Sequence, residues 1–255
     1  MNLNLNTGLA SNYHSGTQKA RILTERWVAD NMYCPRCGNF HVKHLPNNSP
    51  VADFYCQICK NEYELKSKDG SIAKKITDGA YSTMIERITS YKNPDFLFMN
   101  YSKDKYFVKD LMLIPKHFFV PGVIEKRKPL SETAKRAGWV GCNILLSKIP
   151  HQGRIYLIKN GEEIDKTSVF KKLAQSKHLV FDDMHTRGWV FDILNCINQI
   201  SSNVFSLDDV YSFSNYLALK HPQNNNIEAK IRQQLQVLRD LNFIEFLGQG
   251  KYMKV

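Results

Sequence analysis

No run of apolar residues in this 255-residue sequence approaches the roughly 20 needed to cross a bilayer. The opening stretch, "MNLNLNTGLASNYHSG", is polar and lacks both the basic and the apolar region of an export signal. These absences argue against a membrane-spanning or secreted protein, and the expected compartment is the cytoplasm. There is no internal repeat and no low-complexity tract, so the chain is not a repeat array or a disordered tail. Acidic residues are in short supply, with 24 Asp and Glu against 35 Lys and Arg and a formal net charge of +11. No Lys/Arg-rich amphipathic helix stands out, so this excess favours nucleic acid over a membrane surface as the partner. A basic protein with no polyanionic partner would carry the same charge. The shortage is uneven: 28 basic against 16 acidic residues up to Val180, then 7 against 8 from Phe181 onward. Attraction for phosphate lies in the first part, and a DNA-reading module at the C-terminus must rely on specific contacts.

With 43% apolar and 11% aromatic residues the chain can fill a core, and its length allows one large domain or a medium and a small one. "SGTQKARILTERWVADNM" places Ala20, Leu23, Trp27 and Val28 at helical spacing behind Ser15 and Gly16. "DGAYSTMIERITSY" reads as a second helix. "FLFMNY" and "YFVKDLMLI" read as strands joined by a Ser-Lys-Asp-Lys turn, and "GRIYLIKNG" as another strand. Strands with flanking helices predict an α/β or α+β first domain over 1–182. The polar segment "DKTSVFKKLAQSKHLVFDDMHTRG" is expected to carry a short helix and then the junction, after which the pattern changes. "GWVFDILNCINQI" is amphipathic, and "SLDDVYSFSNYLALK" opens on Ser206 with Asp209 three residues on, close to a capping box. "NNIEAKIRQQLQVLRDL" puts Ile227, Ile231, Leu235 and Leu238 on one face, and "FIEFLGQGKYMKV" is a hairpin about Gly-Gln-Gly. Three helices and a two-stranded wing are the order of a winged helix-turn-helix, expected over 183–255.

Cys34 and Cys37, then eighteen residues, then Cys56 and Cys59 form two C-x2-C pairs. Two intervening residues let both thiolates of a pair meet one ion about 2.3 Å away, and four such ligands close the sphere of a structural Zn²⁺. Redox pairs or coincidence are the alternatives. Cys142 and Cys196 stand alone in apolar surroundings and read as small buried residues.

The second pair is flanked by Asp53 and by Glu64-x-Lys66. If "VADFYC" and "EYELKSK" are strands joined across the knuckle, alternation sets Glu62, Glu64 and Lys66 on one face and Tyr63 and Leu65 on the other. Asp53 sits on the opposing strand with Val51 and Tyr55 as same-face neighbours. Two carboxylates brought close repel, a conflict that a hard divalent cation such as Mg²⁺ resolves. Lys66 beside that cation and a phosphate would orient or help deprotonate a water. A solvated hairpin face accounts for the same charges, and suffices for Glu62 and Lys68.

The spacing of Asp53 and Glu64-x-Lys66 is similar to the PD-(D/E)xK nuclease signature, with the departure that Ala52 precedes the aspartate and the proline stands at Pro50. Across its whole length the chain resembles the DpnI-type methyl-directed restriction endonucleases. The stretches that carry this are "QKARILTE", "CPRCGN", "PVADFYC", "ELKSK", "DGAY", "RAGWVGCNI", "RGW" and "IRQQLQVLRD". The resemblance implies a PD-(D/E)xK catalytic domain with an inserted zinc site, then a winged helix. It also implies Mg²⁺-dependent double-strand cleavage at GATC carrying N6-methyladenine, with blunt ends. By position Asp53 and Glu64 take the metal-ligand roles, with the Leu65 backbone carbonyl a further ligand. Lys66 becomes the catalytic lysine, and the four paired cysteines take the zinc roles.

The methyl group of N6-methyladenine projects into the major groove beside the N7 acceptor. A reader needs an apolar surface for it and an amide or guanidinium for the purine edges. "KRAGWVGCN" offers Lys135, Arg136, Trp139 and Asn143, with Trp139 as methyl contact and Asn143 as polar partner. Trp139 anchoring a turn is the competing reading. On the polar face of the last helix stand Lys230, Arg232, Gln233, Gln236 and Arg239, of which Gln suits adenine and Arg suits guanine. A solvated face explains them too. The partner is expected to be adenine-methylated double-stranded DNA, bound by a monomer with no protein partner. The rival function is a non-catalytic zinc-containing winged-helix regulator. An RNA-binding protein is a third reading, without an RNA-module signature to support it.

Overall fold

The computed structural model describes residues 1–46, 49, 52–71, 74–90 and 92–255. Pro50 and Val51, the expected neighbours of Asp53, and Tyr91, the last residue of the expected second helix, lie outside the described residues. The chain forms two compact units, one of residues 1–146 and 152–177, the other of 147–151 and 178–255. No helix among the described residues is long and apolar enough to cross a membrane.

In chain order the first unit carries α1 (Gly16–Asn31), β1 (Lys43–His44), β2 (Phe54–Tyr55), β3 (Glu62–Asp69), β4 (Lys75–Ala80), α2 (Tyr81–Thr89), β5 (Asp95–Ser102), β6 (Phe107–Ile114), β7 (Ile124–Lys126), β8 (Gly141–Leu145), β9 (Ile155–Lys159), β10 (Glu162–Glu163) and α3 (Lys166–Ser176). It is the mixed α/β architecture that the alternating patterns implied. One sheet runs β1-β2-β3-β5-β6-β9-β10 and a smaller one β4-β8-β7. β3 and β5 are parallel, from Tyr63 opposite Asp95 to Asp69 opposite Tyr101. A parallel neighbour requires a crossover, and β4 with α2 supplies it. Every residue of β5 is buried, as expected of an inner strand between β3 and β6 with Phe96, Leu97, Phe98 and Met99 at its centre. Leu23, Trp27 and Val28 of α1 join one core with Tyr63 of β3, Leu97 and Met99 of β5, and Leu111 and Leu113 of β6.

The second expected helix starts later than its propensity suggests. Asp78 pairs with Cys142 and Ala80 with Gly141 in the β4–β8 ladder, with a bulge between Asp78 and Ala80, so α2 begins only at Tyr81. Pairing with a distant strand outweighs local preference here.

The second unit carries α4 (Met184–Gln199), β11 (Val204–Ser206), α5 (Leu207–Tyr211), α6 (Ser214–Lys220), α7 (Ile227–Asp240), β12 (Ile244–Gly248) and β13 (Lys251–Lys254). This is a helix-turn-helix with a wing. The capping box is complete: Ser206 accepts from the Asp209 N–H and Asp209 accepts from the Ser206 N–H. The helix expected over 206–220 is divided into α5 and α6 around Ser212 and Phe213. The hairpin gains β11 as a third strand, in the order β11-β13-β12. α7 buries Ile231, Leu235 and Leu238, with Gln234 in place of the half-exposed Ile227.

One buried carboxylate ties the large sheet to the cysteine region. Asp95 opens β5 with 0% exposure and accepts from Arg36 at 2.7 and 2.8 Å, from Asn61 Nδ2 at 2.9 Å and from the Lys116 N–H at 2.8 Å. Burial works against the Arg36 guanidinium, but Asp95 outweighs it and raises the Arg36 pKa. Replacing one partner of such a pair leaves the other charge buried and alone, at about 3–5 kcal/mol. Asp95→Asn is therefore expected to lower the first unit's stability by that order, seen as a lower melting midpoint beside an unchanged transition in the second unit.

Candidate active site and zinc centre

The two cysteine knuckles are built alike. Cys34 O accepts from the Gly38 N–H at 2.8 Å and Cys56 O from the Lys60 N–H at 2.9 Å. The Cys34 N–H donates to Asn39 O at 2.7 Å and the Cys56 N–H to Asn61 O at 2.9 Å. Each knuckle needs a left-handed residue after its second cysteine, Gly38 at φ 79° and Lys60 at φ 60°. Glycine adopts that conformation freely and lysine at a cost. The four sulfurs lie within 4.8 Å of one another, Cys34 at 3.5 Å from Cys59 and Cys37 at 3.5 Å from Cys56. Zinc–sulfur bonds of about 2.3 Å in a tetrahedron set sulfurs about 3.8 Å apart, so the cluster fits one Zn²⁺. All six cysteines are free. Burial pushes the Cys34 thiol up, against the Tyr63 hydroxyl at 3.1 Å. At Cys56 burial also opposes ionisation, but the N–H groups of Cys59 and Ile58 and the Cys37 and Cys34 thiols prevail and bring its pKa down to about 7.

β2 and β3 form the hairpin across the second knuckle, with Phe54 opposite Tyr63 and Tyr55 opposite Glu62. Tyr63 and Leu65 pack into the core beneath α1, and Glu64 and Lys66 alternate to the opposite face. Lys66 Nζ lies 2.6 Å from Glu64 Oε1 and 2.5 Å from Asp78 Oδ1, and Arg87 Nη1 lies 2.7 Å from Glu64 Oε2. Asp53 precedes β2 and binds the backbone between these residues: its Oδ2 accepts from the Leu65 N–H at 2.7 Å, and its own N–H donates to Tyr63 O at 2.9 Å. A strand residue directs its N–H and C=O to the same edge, so the Leu65 carbonyl points to the edge that Asp53 closes. Glu62 and Lys68 are exposed.

Burial pushes the Asp53 carboxyl up against the Leu65 N–H, and pushes Glu64 up against Lys66 and Arg87. Taking two carboxylates out of water is a cost that a divalent cation offsets, and oxygen donors from Asp53, Glu64 and the Leu65 carbonyl suit Mg²⁺. Burial opposes the Lys66 ammonium as well, yet Glu64 and Asp78 outweigh it and raise the Lys66 pKa. The carboxylates are more widely spread than the thiols: among the described residues only the cysteines bring three or more such ligand atoms within 4.8 Å. Asp78 and Arg87 are the residues that sequence reasoning missed. Asp78 lies in "DGAY", which reads as the start of a helix, and no local pattern marks Arg87.

Lys135, Arg136 and Trp139 sit in the loop between β7 and β8. Lys135 and Arg136 are exposed, and the Arg136 guanidinium lies 4.6 Å from the Trp139 ring centroid. The half-buried Trp139 packs on Gly141, where a Cβ would come within 2.8 Å of the ring. Asn143 is on β8, 9% exposed, with its amide 2.5 Å from Glu125 Oε2. In the second unit Arg232, Gln233, Gln236 and Arg239 are exposed on α7, with Arg232 donating to the Tyr211 hydroxyl. Lys230 is half-buried, its ammonium 6.0 Å from the Trp189 ring centroid.

Removing zinc with a chelator, or replacing Cys56 by Ser, is expected to unfold the knuckles and destabilise the first unit, because bound zinc contributes folding energy directly. Metal content and near-ultraviolet circular dichroism check it. Lys60→Gly, which removes the left-handed strain, is expected to keep the metal and to gain up to about 1 kcal/mol.

Two family matches cover nearly all of the chain. The model of the Dam-replacing family, DpnI, matches residues 1–181, and that of the Dam-replacing HTH domain matches residues 185–254. The chain accordingly belongs to the Dam-replacing family, whose members are DpnI-type methyl-directed restriction enzymes with a DNA-binding helix-turn-helix domain.

Proposed function

We propose that the protein is a type II restriction endonuclease of the PD-(D/E)xK superfamily. It cuts both strands of DNA at GATC when the adenine carries an N6-methyl group, leaves blunt ends and requires Mg²⁺. The observation that carries this reading is the geometry at β3, where Glu64 and Lys66 are in contact at 2.6 Å and Asp53 grips the N–H of the residue between them. Residues 1–182 form the catalytic domain and 183–255 the winged helix that adds DNA contacts.

In this reading Asp53, Glu64 and the Leu65 carbonyl hold the cation, which when bound polarises the scissile phosphate and lowers the pKa of its water. Asp53 is oriented for the task because one oxygen is already fixed by the Leu65 N–H. Lys66 is held as an ammonium by Glu64 and Asp78, so it acts by charge, orienting the attacking water and offsetting the negative phosphate. Arg87 limits the repulsion that buried Glu64 would otherwise feel from Asp78. Trp139 offers an apolar face for the methyl group, with Lys135 and Arg136 beside it for backbone phosphate. Asn143, engaged with Glu125, must exchange that bond to address a base edge. On α7, Gln233, Gln236 and Arg232 face outward for base contacts, with Lys230 at their side.

Incubation with Mg²⁺ is expected to fragment plasmid from an adenine-methylating host and to leave unmethylated plasmid intact. Cleavage of both removes the methyl dependence, and binding without cleavage returns the regulator reading. Asp53→Ala is expected to lose cutting while still preferring methylated duplex in a binding assay. Trp139→Ala is expected to reduce the ratio of methylated to unmethylated cleavage roughly 5- to 150-fold, the range of a contact worth about 1–3 kcal/mol.

A further inference from the structure

We infer that Asp78 is a positioning residue that holds Lys66 at the reacting phosphate, an inference that rests on the nuclease reading above. Lys66 has two carboxylate partners, Glu64 at 2.6 Å and Asp78 at 2.5 Å. Glu64 is shared with Arg87 and is also the oxygen donor that a cation would claim. Once Glu64 is so engaged, Asp78 is the carboxylate left to keep the ammonium in place. Without it a largely buried cation would lose its compensating charge and swing away from the site.

The backbone is shaped to put Asp78 there. β4 belongs to the small sheet, and its ladder with β8 runs regularly from Lys75 opposite Leu145 to Asp78 opposite Cys142. The register then shifts before Ala80 meets Gly141. A bulge of this kind re-aims a side chain and is frequent beside active sites. The Gly79 N–H in the bulge donates to Asp78 Oδ1 at 2.7 Å, the same oxygen that receives Lys66. The other oxygen, Oδ2, is buried and has no hydrogen-bond partner among the described residues. That open acceptor can take a second contact from the Lys66 ammonium when Glu64 is claimed by a cation.

The test uses the full chain, a duplex carrying adenine-methylated GATC, and single-turnover cleavage in Mg²⁺. Asp78→Asn keeps the size and removes the charge. Its rate is expected to fall roughly 100-fold, the cost of misplacing a reacting group by about an ångström, with duplex affinity in Ca²⁺ within twofold of wild type. Asp78→Glu keeps the charge, and with it the fold, but moves it by a methylene. Its rate is expected to fall between the other two. A full wild-type rate in Asp78→Asn overturns the assignment. In a Lys66→Met background Asp78→Asn is expected to cost under threefold more, since its effect passes through the lysine; losses that multiply overturn it. Calorimetric Mn²⁺ binding to the DNA-free protein supplies a readout apart from activity. Asp78→Asn is expected to leave it within threefold, and a tenfold loss makes Asp78 a metal ligand instead. Wild-type protein that leaves methylated duplex whole sinks the nuclease reading itself. Wild-type cleavage with an undiminished Asp78→Asn rate sinks only the assignment of Asp78.

Discussion

A carboxylate with no access to water has to be surrounded by donors, and Asp95 draws those donors from segments that would otherwise have no reason to meet. Arg36 comes from inside the first cysteine knuckle, Asn61 from just beyond the second, and Lys116 from the loop after β6. Directly across the parallel pair stands Tyr63, whose hydroxyl reaches Cys34 Sγ. The two inner strands are thus bolted to the thiol cluster from both sides. β3 carries Glu64 and Lys66 within the next three residues, so the cluster and the catalytic candidates are positioned by one set of contacts. Buried ion pairs often add little net stability over an apolar substitute. What this one adds is register, because a one-residue slip of β3 would send Glu64 and Lys66 into the core and expose Tyr63 and Leu65.

Local features were legible from sequence in proportion to how locally they are determined. The two knuckles need only C-x2-C spacing, and the hairpin they pinch needs only period-two alternation about it. The capping box at Ser206 is a four-residue pattern, and α1 announces itself through Leu23, Trp27 and Val28. Asp78 was hidden for the opposite reason. Its place depends on β8, which lies more than sixty residues later, and on a bulge that no composition signals. The same distant pairing turned the expected start of a helix into the end of a strand. Arg87 is invisible because an amphipathic helix always has a polar side, and only the fold reveals that this one faces a buried glutamate. β11, three residues long, owes its existence to the hairpin it joins.

The charge deficit also resolves onto the structure. The first unit holds the basic excess, the four-cysteine cluster and the candidate catalytic residues, while the second is close to neutral. A neutral reading head gains little from counterion release and must discriminate through fitted contacts. That suits α7, whose exposed residues include two glutamines with Arg232 and Arg239, side chains capable of bidentate pairing with purine edges.

Loops usually carry specificity and scaffolds usually carry chemistry, and the small sheet blurs that division. The loop holding Lys135, Arg136 and Trp139 is not loosely attached. The Leu130 N–H donates to Trp139 O at 2.9 Å, the Arg127 N–H to Gly141 O at 3.0 Å, and the Tyr81 N–H to Val140 O at 3.0 Å. Each bond extends the ladders of β8 with β7 or with β4, and β4 is the strand that presents Asp78 to Lys66. Base-reading and phosphate-reading elements of the proposed enzyme therefore share one hydrogen-bonded frame. A site mounted on strands holds its groups to finer tolerances than one mounted on flexible loops.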